Sequence, residues 1–482
     1  MQFSSRLARA PKMRATRSGA PFMSTETVLQ SLDADLPAAT DRLFDFLRIK
    51  SVSTDPAFAS ECRRAADWLA GQLRELGYEA SVRDTPGHPI VVGHAKAKRP
   101  DAPHVLFYGH YDVQPPDPLE LWISDPFDPR LVQGDKGEEI VARGASDDKG
   151  QLMTFLEACR AFQRNGGLPC HITFLFEGEE ETGSPSLPDF FAANREELSE
   201  PALALVCDTG MWNAKTPAIT TMLRGLAQEE VILKASDRDL HSGIFGGPVI
   251  NPIHVLAKII GDLHDAEGRV TLPGFYDGVA ELPEEIAAQW RGLEFDETAF
   301  LKSVGVARPA GERGRSVIEQ VWSRPTCDVN GIIGGYTGPG AKTVLPAQAS
   351  AKISFRLVGT QDPEKVLSSF RAFVRERLPV DVRAEFVPHG ASRALQLPFG
   401  SEALTRARRA LQEEWDKEAA LVGCGGSIPI VGAFKRDLGM DTLMIGFALE
   451  DDRIHSPNEK YAYSSFKKGS RSWVRVLAAL AA

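Results

Sequence analysis

The chain has 482 residues, of which 25% are charged and 43% hydrophobic, and its formal net charge is −10. Such a composition can fill a sizeable core, which excludes global disorder, and no run approaches the roughly 18 apolar residues of a membrane span. The acidic balance argues against a nucleic-acid partner, for which a basic excess is expected.

In chain order, the first stretch carries Arg6, Arg9, Lys12, Arg14 and Arg17 and no acid. It lacks the apolar core of roughly 7–15 residues that a secretory signal needs. Residues 1–24 are therefore expected to lie outside the fold, as a disordered tail, as a start assigned too early with Met23 the first residue, or as a transit-like peptide. Leu29, Leu32, Leu36, Leu43, Phe46 and Leu47 recur at helical spacing over Glu26–Ile49, and a second helix is expected over Glu61–Leu76, ending at Gly77. Strands are predicted at Pro89–Gly93, at His104–Gly109 (HVLFYG, apolar throughout), around Ile140–Ala142, at His171–Phe176 (HITFLF) and at Ala202–Cys207. Helices are predicted at Gln151–Arg164 and Leu187–Leu198. The pattern resumes late, with a helix at Glu402–Trp415, a strand at Asp441–Phe447 and a helix at Lys467–Leu480.

Strands alternating with helices point to an α/β domain with a mostly parallel sheet. Residues 217–390 differ, with longer alternating strands such as AQEEVILKA and SAKISFRLV, each followed by a helix (Asn251–His264, Pro363–Leu378). A β-α-β-β-α-β, ferredoxin-like module explains that change. The expected organisation is a catalytic α/β domain in two parts, 25–216 and 391–482, with an α+β lid domain, 217–390, inserted between them. Six cysteines lie far apart with no Cys-x-x-Cys pair. Zinc-finger and thioredoxin chemistry are thereby unsupported, and free thiols in a reducing, cytoplasmic compartment are expected.

The chemistry gathers just past the predicted strand ends. His110-Tyr111-Asp112 follows HVLFYG, Ser146-Asp147-Asp148 follows the strand near Ile140, Glu179-Glu180-Glu181 follows HITFLF, Asp208 follows ALALVC, and His455 follows the late strand. Open α/β sheets bind ligands at that edge. Each group alone has an ordinary reading, as a turn or a solvated face. Together, crowded carboxylates repel one another unless cations neutralise them. Imidazole and carboxylate donors suit zinc or manganese. Two histidines with three or four carboxylates exceed one tetrahedral ion and suit two, about 3.5–4 Å apart. Two local patterns are decoys. GPGAKT lacks contiguous Gly-Lys-Thr, and GGSIP lacks the second glycine of a nucleophile elbow.

The motifs GHYDVQP, RGASDDKG, FEGEEETGS, DLHSG, GGYTGPGAKTVLP, ISFRLV and HSPNEK, in this order, resemble the di-metal exopeptidases that include carnosinase, cytosolic nonspecific dipeptidase, carboxypeptidase G and aminoacylase. The resemblance runs from about residue 28 to 482 and is nearest to the carnosinase and nonspecific dipeptidase branch. It implies two divalent metals per subunit, zinc first and manganese as the alternative. Their ligands would be His110, Asp147 (bridging), Glu181, Asp208 and His455. It further implies Glu180 as general base and Asp112 as the carboxylate orienting His110. His241 would reach into the partner subunit's site to stabilise an oxyanion, and Arg356 would grip the substrate carboxylate. Thr343, His389 and Ser427 match further substrate-binding positions. The implied activity is hydrolysis of dipeptides with a free C-terminal carboxylate by a homodimer joined through the lid. The alternative is an N-acyl-amino-acid amidohydrolase using the same site, and a non-catalytic homologue is disfavoured by the complete ligand set.

Overall fold

The computed structural model describes residues 24–426 and 428–482, so residues 1–23 of the expected amino-terminal tail and Ser427 lie outside the described residues, while Ser24 caps the first helix by accepting from the Thr27 N–H. The central sheet has nine strands. Its middle is parallel: His171–Glu177, His104–His110, Leu203–Val206 and Asp441–Met444 lie side by side, all running the same way. Antiparallel strands flank it, Ile90–Ala95 and Glu79–Arg83 on one side and Ala218–Leu223 with Leu395–Gln396 on the other.

The uninterrupted apolar run of HVLFYG follows from its position. Val105 and Phe107 face one core, which holds the helices Thr25–Leu47, Ala59–Glu75, Lys149–Arg164, Glu402–Trp415 and Tyr463–Leu480. Leu106 and Tyr108 face a second core with Leu187, Phe191, Ile430 and Phe434. A parallel strand covered on both faces needs apolar residues at every position. Because the four middle strands are parallel, their carboxyl ends share one edge.

A separate four-stranded antiparallel sheet is built from Gly225–Lys234, Thr326–Gly334, Gln348–Leu357 and Arg383–Ser392. With the helices Pro252–Gly261 and Pro363–Glu376 it forms a β-α-β-β-α-β unit around Val231, Leu233, Ile353, Phe355 and Phe370. The chain passes between the two sheets at Arg224 and again at Arg393–Ala394. Ala218–Leu223 still belongs to the central sheet, and Ile286, Trp290 and Ile318 pack into its larger core.

Two local expectations differ from the structure. The strand expected near Ile140 is Gly137–Val141, and it pairs with Arg130–Gly134 and Lys460–Ala462 in a small sheet of its own, outside the central one. The helix expected over Leu187–Leu198 is two, Leu187–Ala193 and Arg195–Leu198. Asn194 interrupts it by turning its side-chain amide back to donate to the Phe190 carbonyl (2.8 Å), the local competition typical of asparagine.

Candidate active site

His110 is the last residue of its strand, fully buried. Its Nδ1 lies 3.1 Å from the Asp112 carbonyl oxygen and 3.3 Å from Asp112 Oδ1. A carbonyl only accepts, so Nδ1 carries the proton and Nε2 is left to face the cluster. There Nε2 is 3.0 Å from Asp147 Oδ1 and 3.9 Å from Asp208 Oδ2. The other oxygen of Asp147, Oδ2, is 3.0 Å from Nε2 of His455, which is also 3.2 Å from Glu181 Oε2. One carboxylate thus stands between two imidazoles.

Two groups of donor atoms result, His110–Asp147–Asp208 and Asp147–Glu181–His455, each with its atoms within 4.8 Å of one another. Asp147 belongs to both. The parallel strands supply His110, Glu181 and Asp208 from their carboxyl ends. Asp147 arrives from the small sheet and His455 from the loop after Asp441–Met444. Asp148 is turned the other way: its Oδ2 accepts from the His110 backbone N–H (3.2 Å), and Cys207 Sγ lies 3.4 Å off.

The electrostatics of the cluster call for cations. Burial, reinforced by Asp147 and Asp148, pushes the Asp208 carboxyl well above the usual carboxylate range. Burial raises Glu180 too, with the Asp147, Glu181 and Asp112 carboxylates adding to it against His110. Oxygen and imidazole donors without a thiol, converging on two adjacent points and short of positive charge, fit two divalent metal ions.

Asp112 has a second task beside His110. Its Oδ1 and Oδ2 accept from the backbone N–H groups of Glu180 (3.3 Å) and Glu181 (3.1 Å), fixing the turn that carries both glutamates. Several contacts in this region have no counterpart in the sequence reading. Gln114 donates to Glu181 Oε2 (2.7 Å). Glu177, pushed up to about 8 by burial, accepts from Ser184 Oγ (2.9 Å) and from the Tyr108 hydroxyl. Gln114 lies in the quoted motif GHYDVQP, so its position was visible, but an amide gives no ligand signal of its own.

The lid residues belong to neither donor group. His241 pairs with Val344 in a two-residue ladder, and Thr343 accepts the Ser242 N–H through its carbonyl (3.0 Å), so His241 and Thr343 share one exposed edge. His241 Nδ1 accepts from the Gly243 N–H (3.0 Å), leaving Nε2 outward. Arg356 is half-buried on an interior strand, opposite Leu226 and Thr326, and no carboxylate pairs with it among the described residues. His389 sits at a bulge between Pro388 and Gly390, with Nε2 3.7 Å from Glu230 Oε2. Bulges of this kind re-aim a side chain. A cavity of about 580 Å³ opens where the chain crosses between the sheets, lined by Leu187, Arg224, Arg393 and Ile430, and contains none of the donor groups.

Residues 106–479 match the family described as Peptidase family M20/M25/M40. The Cys-Gly metallodipeptidase DUG1 of Candida albicans is 30% identical over 460 residues, spanning 90% of this chain and 93% of that relative. Among solved structures, human carnosine dipeptidase 1 has a TM-score of 0.72 at 27% identity, covering 96% of this chain and all of its own (100%). The M20 family metallo-carboxypeptidase Sso-CP2 from Sulfolobus solfataricus has a TM-score of 0.76 at 30% identity, covering 92% and 99%.

Proposed function

The chain belongs to Peptidase family M20/M25/M40, and from that premise we propose that it is a metal-dependent dipeptidase acting on dipeptides with a free C-terminal carboxylate. The observation that carries the reading is the pair of donor groups sharing Asp147, with Glu180 beside them. The relatives named as dipeptidases support the substrate class, and they match over nearly their full length.

In this reading His110, Asp147 and Asp208 hold one cation and Asp147, Glu181 and His455 the other, zinc first and manganese as the alternative. Bound there, the two cations would supply Lewis acidity, polarising the scissile carbonyl and acidifying a water. The chain supplies the proton handling and the positioning. Glu180 takes the proton from the attacking water and returns it to the leaving amine as the C–N bond breaks. Asp112 keeps His110 in the tautomer that presents Nε2 and keeps Glu180 in place through its backbone N–H.

Arg356, a guanidinium without a carboxylate partner among the described residues, is suited to the substrate's terminal carboxylate through a bidentate contact. Arg356→Met is expected to raise KM for dipeptides about 10–100-fold, the worth of a hydrogen-bonded charge. For the same dipeptides amidated at the C-terminus, wild type and variant should be equally poor. A larger loss on the amides than on the acids would remove Arg356 from that role. His389 and Ser427 complete the proposed substrate contacts.

The lid edge supports a homodimer. The outer strand Thr326–Gly334 leaves Ile332 and Ile333 each 61% exposed at an unpaired sheet edge, and Ile244 beside His241 is 68% exposed. Apolar side chains on an open edge need a partner. We place a second copy there, which brings His241 and Thr343 of one subunit toward the site of the other. Ile332→Glu with Ile333→Glu is expected to give a monomer in sedimentation analysis that keeps its metal and loses activity. A fully active monomer would end the cross-subunit role of His241. We infer a cytoplasmic location from the six cysteines, all unpaired; separately, no described helix is long and apolar enough to cross a membrane.

The experiment for the substrate class pairs unblocked dipeptides with N-acetyl and N-succinyl amino acids, using chelator-stripped protein resupplied with Zn²⁺ or Mn²⁺. Cleavage of the dipeptides alone is expected. Cleavage of the acylated compounds alone would keep the site and replace the substrate.

A further inference from the structure

The loop that carries Asp147 and the loop that carries His455 are locked to each other by a buried carboxylate that belongs to neither donor group. Glu459 is fully buried. Its Oε2 accepts from Arg143 Nη1 (2.7 Å) and from the Gly144 N–H (2.9 Å). Its Oε1 accepts from the N–H groups of Ser146 (2.9 Å) and Asp147 itself (3.0 Å). Four donors from a single five-residue stretch therefore converge on one side chain. A second tie lies beside it, Ser146 Oγ donating to Asp452 Oδ2 (2.8 Å). The pairing of Gly137–Val141 with Lys460–Ala462 brings the two loops together at their base.

The His455 side of this lock does not hold itself. Arg453, His455 and Asn458 all have left-handed backbones, with φ of 57°, 61° and 61°. Non-glycine residues keep that conformation where their surroundings over-determine it. Glu459 and Asp452 bound the segment at both ends, and each is anchored to the Asp147 loop.

We propose that Glu459 is a positioning residue that sets the geometry of both metal positions, by holding the Asp147 loop against the loop that presents His455. This rests on the reading of Asp147 and His455 as ligands. The number of acceptors is what matters. A glutamine at 459 would turn its NH₂ toward two of four groups that can only donate.

The test is a Zn²⁺ titration of chelator-stripped, full-length protein in competition with a chromogenic chelator. Wild type is expected to take two equivalents per subunit. Glu459→Gln is expected to bind both about 10–100-fold more weakly, the usual effect of losing an outer partner of a ligand. A purely structural role predicts something else, a smaller folded fraction whose Zn²⁺ affinity is that of wild type, and that result would overturn the proposal. Should wild type bind no Zn²⁺, the metal reading itself fails, which is a distinct outcome. A second measurement needs no variant. In metal-free wild type, peptides spanning residues 142–148 should resist hydrogen–deuterium exchange as the central strands do. Free exchange there, with protection only after Zn²⁺ is added, would show that the ion and not Glu459 orders the loop.

Discussion

Glu180→Gln is expected to hydrolyse dipeptides about 10²–10⁴-fold more slowly than wild type, with KM little changed and two equivalents of Zn²⁺ still bound. Glu180 belongs to neither donor group, yet it is half-buried beside the same carboxylates, and its backbone N–H is fixed by Asp112 Oδ1. Glutamine keeps the size and shape and removes only the ability to take a proton. Loss should therefore appear in kcat. If the variant instead lost a cation, Glu180 would be a ligand. If it turned over at nearly the wild-type rate, the proton would be moved by another group and the mechanism would need a different base.

Asp147→Ala should cost both cations at once and reduce hydrolysis to background, a loss well beyond the roughly 10–100-fold of an outer-partner change. The prediction follows from Asp147 facing both imidazoles, at 3.0 Å through each oxygen. His455 belongs only to the second donor group, so His455→Ala should leave one equivalent of Zn²⁺ bound. The difference between the two variants, read by elemental analysis after gel filtration, reports whether Asp147 is shared. One equivalent retained by both variants would make it an ordinary ligand of a single ion.

The parallel strands could be read from the sequence because burial on both faces writes itself as a continuous apolar run, as in HVLFYG and HITFLF. Their carboxyl ends then placed His110, the run Glu179-Glu180-Glu181 and Asp208 at one edge, and the motif resemblance singled out Glu181 from that run. The strand near Ile140 was visible, but its sheet was not, since pairing with Lys460–Ala462 joins residues more than 300 positions apart and leaves no local pattern. The break at Asn194 was equally hidden, because asparagine is compatible with both a helix and its interruption. The roles of individual site residues came from motif resemblance, not from periodicity, and the residues left without roles show its limit. Glu459 stands inside the quoted motif HSPNEK, yet its four hydrogen bonds go mostly to backbone N–H groups, which every sequence possesses. Arg356 and His389 carry no signal in their strands that separates them from a surface charge or a turn residue. Only their placement in the lid, one without a carboxylate partner among the described residues and one on a bulge, sets them apart.

The most direct measurement is hydrolysis of a panel of unblocked dipeptides by chelator-stripped protein as Zn²⁺ is added stepwise. Activity absent at the start and rising to a plateau at two equivalents per subunit is the predicted result. Full activity in the stripped protein, or none at any Zn²⁺ or Mn²⁺ loading, would contradict the two-metal dipeptidase.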